Sequence, residues 1–214
     1  MLTEQQISYN RDRFIELISS INREGADIQK LITKLNNSDF FYAPASTQYH
    51  GAYYGGLCEH SLNVYDNFKM LVENKKGLDP CCYDEDTIKI ITLLHDISKM
   101  NIYEVGIKNE KIYCENGNQS DELGRYRWQS FKIFKTKAKK FTYGSHEATS
   151  EYIIRQFIPL ELDESVAILH HMGSMAWDSA KDNIGEVFNQ YSLALILYMS
   201  DMMSSYIDER TVNE

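Results

Sequence analysis

The stretch Ile90-Ile91-Thr92-Leu93-Leu94-His95-Asp96-Ile97-Ser98-Lys99 decides how this chain is read. Its apolar residues cover every side of a helical turn, so the segment belongs inside a core. It then runs directly into an imidazole, a carboxylate and an ammonium. An apolar helix that ends in such groups is a costly place for charge unless something compensates it. Adjacent helix positions point about 100° apart, so His95 and Asp96 can reach one cation lying over the groove between them. Lys99 follows on the same face and offers a fixed positive charge to a phosphate oxygen. As an isolated dipeptide, His95-Asp96 would read better as a helix-end histidine beside a solvated carboxylate, because so short a motif matches often by chance.

A second segment alters that weighing. Asp201 sits in Leu193-Ala194-Leu195-Ile196-Leu197-Tyr198-Met199-Ser200-Asp201-Met202-Met203, the most apolar stretch of the chain. An uncompensated carboxylate there would cost several kcal/mol or be forced to protonate. A metal ion is its simplest partner.

Bulk properties narrow the field. A chain of 214 residues with 43% hydrophobic content builds a sizeable core in one large domain, or in one domain with an insertion. The formal charge of -9, from 31 acidic against 22 basic residues, excludes non-specific coating of long duplex nucleic acid or of an anionic membrane. A phosphate-bearing ligand must then be met by a local basic patch or by metal cations. The run Leu193–Met199 is far shorter than the ~20 residues needed to span a bilayer. Met1-Leu2-Thr3-Glu4-Gln5-Gln6 lacks the regions of a signal peptide, and Cys58, Cys81, Cys82 and Cys114 show no CxxC spacing. Reduced thiols in a cytoplasmic protein are expected.

The remaining pattern is mostly helical. Thr3 to Gln6 predicts a capping box opening an amphipathic helix with Phe14, Ile15, Leu17, Ile18 and Ile21 on one side. Further helices are expected over Asp27 to about Leu35, Leu57 to about Glu73, Asp84–Met100, Ser145–Phe157, Asp163–Met172 and Tyr191–Ile207, with Ser46–Gly56 as a glycine- and tyrosine-rich loop. Tyr103, Val105 and Ile107, then Ile112 and Cys114, alternate around Lys108-Asn109-Glu110, which predicts a β-hairpin turning there. The expectation is an all-α helical bundle, residues 1–45 packing as N-terminal helices on a domain of residues 46–214, with a hairpin-like insertion at about 102–143.

His60 in Gly55-Gly56-Leu57-Cys58-Glu59-His60-Ser61, then Leu94-His95-Asp96-Ile97-Ser98-Lys99, then Asp201, resembles the HD-domain phosphohydrolase superfamily over about three-quarters of the chain. His50-Gly51-Ala52-Tyr53-Tyr54-Gly55-Gly56-Leu57, with Gly144-Ser145-His146-Glu147 and His171-Met172-Gly173, is similar to small HD proteins of bacteria and phages and to the HD domain of a bacterial 3′-to-5′ exoribonuclease. That enzyme's OB-fold module has no counterpart here, and the GYP signature of cyclic di-GMP phosphodiesterases is absent after His171. The resemblance implies an HD-type helical bundle and a metal-activated water that cleaves a phosphoester of a nucleotide or short oligonucleotide. It implies a first divalent ion on His60, His95, Asp96 and Asp201. A second, where present, would lie on His146 and one or both of His170 and His171, bridged by Asp96. In relatives the middle histidine often follows the glycine directly, whereas Ser145 intervenes here before His146. Mixed imidazole and carboxylate ligation suits manganese, iron, cobalt or nickel better than magnesium.

Asp96 and Lys99 are the expected catalytic groups. His50 reads either as a contact to phosphate or leaving group, or as a surface histidine of a loop. Glu147 reads equally as a partner orienting His146 or as a solvated helix-start acid. Arg125, Arg127, Lys132, Lys135, Lys137, Lys139 and Lys140 run without an intervening acid, with Trp128 and Phe131 interleaved as base stacking would require. Arg125, Arg127 and Lys132 are the substrate-binding candidates of a lid; a solvated hairpin balancing an acidic body is the competing reading. The rival function is an HD module that senses a nucleotide without turnover. Oligomerisation stays open.

Overall fold

The computed structural model describes residues 2–78, 83–175 and 183–209; Pro80, Cys81 and Cys82 lie outside them. Helix α1 (Glu4–Ser19) starts where the sequence places it. The Thr3 hydroxyl accepts from the Gln6 amide at 3.3 Å, and the Gln6 side chain accepts from the Thr3 amide at 2.8 Å. Its buried face carries Phe14 and Ile18, and α2 (Ile28–Asn36), capped by Asp27, buries Leu31 and Leu35. Phe14 packs on Phe40 and Phe41 at centroid distances of 5.0 and 5.7 Å, contacts of about 0.5–1.5 kcal/mol each beyond their burial. Arg23 then forks onto the buried Glu164 at 3.0 and 2.7 Å, which fastens the N-terminal segment to the later part of the chain.

Helix α3 (Gly56–Asn74) begins against the glycine-rich loop. A Cβ on Gly56 would come within 2.1 Å of the Gly51 carbonyl oxygen, and Gly51 itself has φ +55, so both positions exclude side chains. Helix α4 (Glu85–Leu94) is capped by Asp84 and buried along most of its length. It stops at Leu94 rather than continuing to Met100. Asp96 leaves the helical region at φ -109 and ψ 18, and Ile97–Lys99 form a 3-10 turn. Asn101, at φ 62, then redirects the chain and is held there by reciprocal bonds with Asp39.

That redirection launches β1 (Tyr103–Tyr113), β2 (Gln119–Asp121) and β3 (Gly124–Thr136), an antiparallel sheet in the order β1-β3-β2. The fold is therefore predominantly helical with a small sheet, not purely all-α as expected. The expected turn at Lys108-Asn109-Glu110 is also corrected: these residues lie mid-strand, with Asn109 opposite Ser130 and bonded to it at 2.7 Å. Both faces of the ribbon are largely exposed, so no core imposed an apolar rhythm, and a change of phase between Ile107 and Ile112 mimicked a turn.

The chain returns through α5 (His146–Ile154), α6 (Leu162–His170), the short α7 (Ile184–Gln190), which the sequence reading omitted, and α8 (Ser192–Met203). Helix α3 packs against α4 and α8, and α6 against α8, around Leu57, Phe68, Ile90, Leu93 and Leu197. After α8 the backbone widens into a π turn, Ser204–Asp208, where the α-helix was expected to run on to Ile207. Among the described residues no helix is long and apolar enough to cross a membrane.

Candidate metal centre

Four helices deliver side chains to one buried point. His60 comes from the second turn of α3, His95 and Asp96 from the end of α4, His171 from the end of α6 and Asp201 from the last turn of α8. His60, His95 and His171 are 0% exposed, and Asp96 and Asp201 are 2% and 6% exposed. His146, the first residue of α5, reaches the same region half-buried.

The tautomers follow from the neighbours. His95 Nδ1 lies 2.8 Å from the Thr92 carbonyl and His171 Nδ1 2.7 Å from the Ile168 carbonyl; a carbonyl only accepts, so both Nδ1 atoms carry the proton. His60 Nδ1 donates in the same way to Glu209 Oε1 at 3.0 Å. Every one of these rings thus turns Nε2 inward. His60 Nε2 and His95 Nε2 stand 3.3 Å apart, and His60 Nε2 is 3.1 Å from Asp201 Oδ1. Asp96 Oδ2 lies 3.6 Å from His60 Nε2 and 3.5 Å from His95 Nε2. Ligand atoms held ~2.1 Å from one cation at angles near 90–110° are ~3.0–3.4 Å from each other. These spacings match or slightly exceed that range, so His60, His95 and Asp96 could hold a metal ion, while Asp201, in reach of His60, also groups with His95 and His171.

The other oxygen of Asp96 belongs to a second cluster. Asp96 Oδ1 faces His146 Nε2 at 3.8 Å and His171 Nε2 at 3.6 Å. All three atoms are buried without a hydrogen-bond partner. Three orphaned acceptors in one place, each able to bind a cation, could hold a metal ion. One carboxylate therefore addresses both clusters, one oxygen to each.

Charge is arranged accordingly. Burial works against ionised Asp96 and Asp201, but Lys99 and the histidines around Asp96, and His60 beside Asp201, outweigh it and hold both carboxyls below their usual range. Burial also opposes a proton on His60, yet Glu209 and Asp201 raise that imidazole to about 10. Burial pushes His146 down to about 4, so it is neutral and ready to ligate near pH 7. Lys99 is nearly buried with its Nζ 2.6 Å from Asp96 Oδ2; Asp96 and Tyr103 keep it charged against the cost of burial.

The remaining sequence candidates fall as follows. His50 sits on the Gly51 loop with its ring 4.9 Å from that of His60, and burial together with His60 pushes its imidazole down to about 4. His170 turns its Nδ1 to the Val166 carbonyl at 2.9 Å and, among the described residues, is in none of the ligand clusters. Glu147 is 3% exposed rather than solvated, and its Oε2 approaches His146 Nδ1 at 3.3 Å. On the ribbon, register puts Tyr103, Phe134, Lys132 and Trp128 on one face and Arg125 and Arg127 on the other. The first face meets the site side of the body: Phe134 packs edge-on against Tyr54 at 5.1 Å, and Tyr103 feels the charges of Lys99 and Asp96.

Sequence reading missed Glu209 and Asn63. Asn63 Nδ2 donates to Glu209 Oε1 at 3.1 Å, beside His60. The available signal was polar spacing on α3, where His60, Asn63 and Asn67 line up in an otherwise core-facing helix. No family model, no curated protein and no solved structure matches the chain.

Proposed function

We propose that this chain is a metal-dependent phosphohydrolase with an HD-type helical core, acting on a phosphoester of a nucleotide or short oligonucleotide. The observation that carries the reading is the inward convergence of three buried Nε2 atoms on the two oxygens of Asp96, with every Nδ1–H already committed elsewhere. Such fixed tautomers are what metal-ligating histidines need. His60, His95, Asp96 and Asp201 would hold one ion, and Asp96, His146 and His171 a second. Bound there, a divalent transition metal supplies Lewis acidity and lowers the pKa of water.

The protein's own groups supply the rest. Lys99 keeps a positive charge beside the ligands and steadies negative charge that develops on phosphoryl oxygens. Burial of the cluster strengthens that interaction by excluding water. His50, neutral near pH 7, flanks His60 where a leaving group or phosphate oxygen can accept or donate a hydrogen bond. The Tyr54–Phe134 pair offers an aromatic edge between the body and the ribbon for a base.

The test is direct. Metal-free protein loaded separately with manganese, iron, cobalt, nickel or magnesium is assayed against chromogenic phosphomonoesters and phosphodiesters and a nucleotide panel. Hydrolysis that a chelator abolishes supports the reading. Nucleotide binding without turnover under every metal would replace it with a sensing module.

A further inference from the structure

We infer that Glu209 is the positioning residue of the first ligand cluster, fixing the ring of His60 so that Nε2 alone is free for a cation; this rests on the metal-centre reading above. His60 faces a carboxylate from each ring nitrogen, and more closely than His146 does: Asp201 Oδ1 lies 3.1 Å from Nε2 and Glu209 Oε1 3.0 Å from Nδ1. A neutral imidazole can donate only once. With one N–H given to Glu209, Nε2 faces Asp201, Asp96 and His95, where two carboxylate oxygens and a second ring nitrogen call for something positive: the ring's own second proton in the metal-free protein, or a cation that displaces it.

The construction around Glu209 serves that single contact. Asp201 ends the buried face of α8, and the π turn Ser204–Asp208 then carries the chain back over α3. The Glu209 amide closes this turn on the Ser204 carbonyl at 2.9 Å. Helix α3 receives the segment on a polar stripe: Asn67 Nδ2 donates to Ser204 Oγ at 3.1 Å and to Asp208 Oδ2 at 2.7 Å, and Asn63 Nδ2 holds Glu209 Oε1 at 3.1 Å. An unbroken α-helix through Ile207 would rotate position 209 off this stripe. A ligand and the acid that orients another ligand therefore come from one short stretch of chain.

Burial gives the arrangement its meaning. Glu209 is 5% exposed, its Oε2 has no hydrogen-bond partner, and no lysine or arginine pairs with it among the described residues. An ionised carboxylate so placed costs several kcal/mol unless a positive group faces it. The protonated ring of His60 is that partner in the metal-free protein, and a cation taking the place of the Nε2 proton would keep the Nδ1–H polarised toward Glu209. The same atoms, with His50, also form a compact cluster that would itself accept an ion, in which case Glu209 would be a ligand and not a positioning group.

Manganese(II) titration of the metal-free full chain, with free Mn(II) counted by electron paramagnetic resonance, separates these cases. Wild type, Glu209→Gln and Glu209→Ala are compared, with thermal unfolding of each metal-free protein alongside. The amide of Glu209→Gln still accepts from Nδ1–H, so affinity for the first ion should weaken by roughly 3–10-fold, and in Glu209→Ala by about 10–100-fold. The number of ions at saturation should not change. Loss of one Mn(II) equivalent in Glu209→Gln would make Glu209 a ligand and overturn the proposal. Affinity in Glu209→Gln equal to wild type would overturn it too, and that comparison stands even if Glu209→Ala does not fold. Wild type that takes up no Mn(II) would sink the metal centre itself, whereas binding by wild type matched by Glu209→Gln sinks only the role of Glu209.

Discussion

Lys99 Nζ lies 2.6 Å from Oδ2 of Asp96, the same oxygen that faces His60 Nε2 at 3.6 Å and His95 Nε2 at 3.5 Å. The ammonium and any ion held there would share one acceptor, so the two residues should fail in different ways. Asp96→Ala removes the one group that, among the described residues, is common to both clusters, so it should lose most bound metal and all hydrolysis. Its position at the end of α4 leaves the helical signal nearly intact. Lys99→Ala should keep its metal, bound at least as tightly, while kcat falls by about 10²–10³. Elemental analysis, circular dichroism and steady-state kinetics on both variants decide it. Unchanged metal content in Asp96→Ala sinks the assignment.

The second cluster makes a count. With Asp96 Oδ1, His146 Nε2 and His171 Nε2 all buried and unsatisfied, loaded wild type should hold close to two ions per chain. His171→Ala should lower that toward one and leave the first site filled. His170→Ala is the control, because among the described residues His170 belongs to no cluster of ligand atoms, and it should keep both ions. Saturation of wild type at a single ion would mean a mononuclear site.

Loading should release a proton. Glu209 and Asp201 outweigh burial and raise His60 to about 10, so at pH 7 the metal-free ring carries a proton on Nε2 that an ion must displace. Below about 10 the free protein holds one proton more than the loaded one, so affinity rises with pH. One proton corresponds to about a tenfold gain per pH unit. Mn(II) titrations at pH 6.5, 7.5 and 8.5 should show that slope, and calorimetry in buffers of different ionisation enthalpy should count the proton. A dissociation constant flat with pH would contradict the charge state assigned to His60.

Much of the candidate site is legible in the sequence. His95, Asp96 and Asp201 stand out because charge in an apolar helix must be compensated, and all three are buried, at 0–6% exposure. The capping box at Thr3 and Gln6 was legible because it is local chemistry between near neighbours. Glu209 was not, since its meaning depends on a π turn that no residue type announces and on Asn63, far away in sequence. The ribbon's turn was misplaced for the opposite reason. With solvent on both faces, the alternation that normally marks strand and register has nothing to enforce it. The break of α4 at Asp96 likewise follows from tertiary demands, because an unbroken helix would not aim Asp96 at the histidines of α3, α5 and α6.

The ribbon separates the two readings of the basic insertion by face. Lys132 and Phe134 share the face that meets Tyr54, whereas Arg125 and Arg127 project from the other. Arg127 also lies roughly 23 Å along the strand from Phe134, toward the tip. A nucleotide held at the metal centre would therefore touch the first pair before the second. Replacing Lys132 and Phe134 together with alanine should raise KM for a nucleotide substrate several-fold and flatten its salt dependence, since a charge within ~8–10 Å of the phosphate is felt at physiological salt. The Arg125→Ala, Arg127→Ala double variant should stay within about two-fold of wild type, its charges lying well beyond that screening length. A small chromogenic phosphodiester, too short to reach the ribbon, should be hydrolysed equally by all three proteins. Loss on the small substrate would mean damage to the metal site or the fold. An arginine double variant that raises KM as much as the first pair would mean that a longer substrate runs out along the ribbon to its tip.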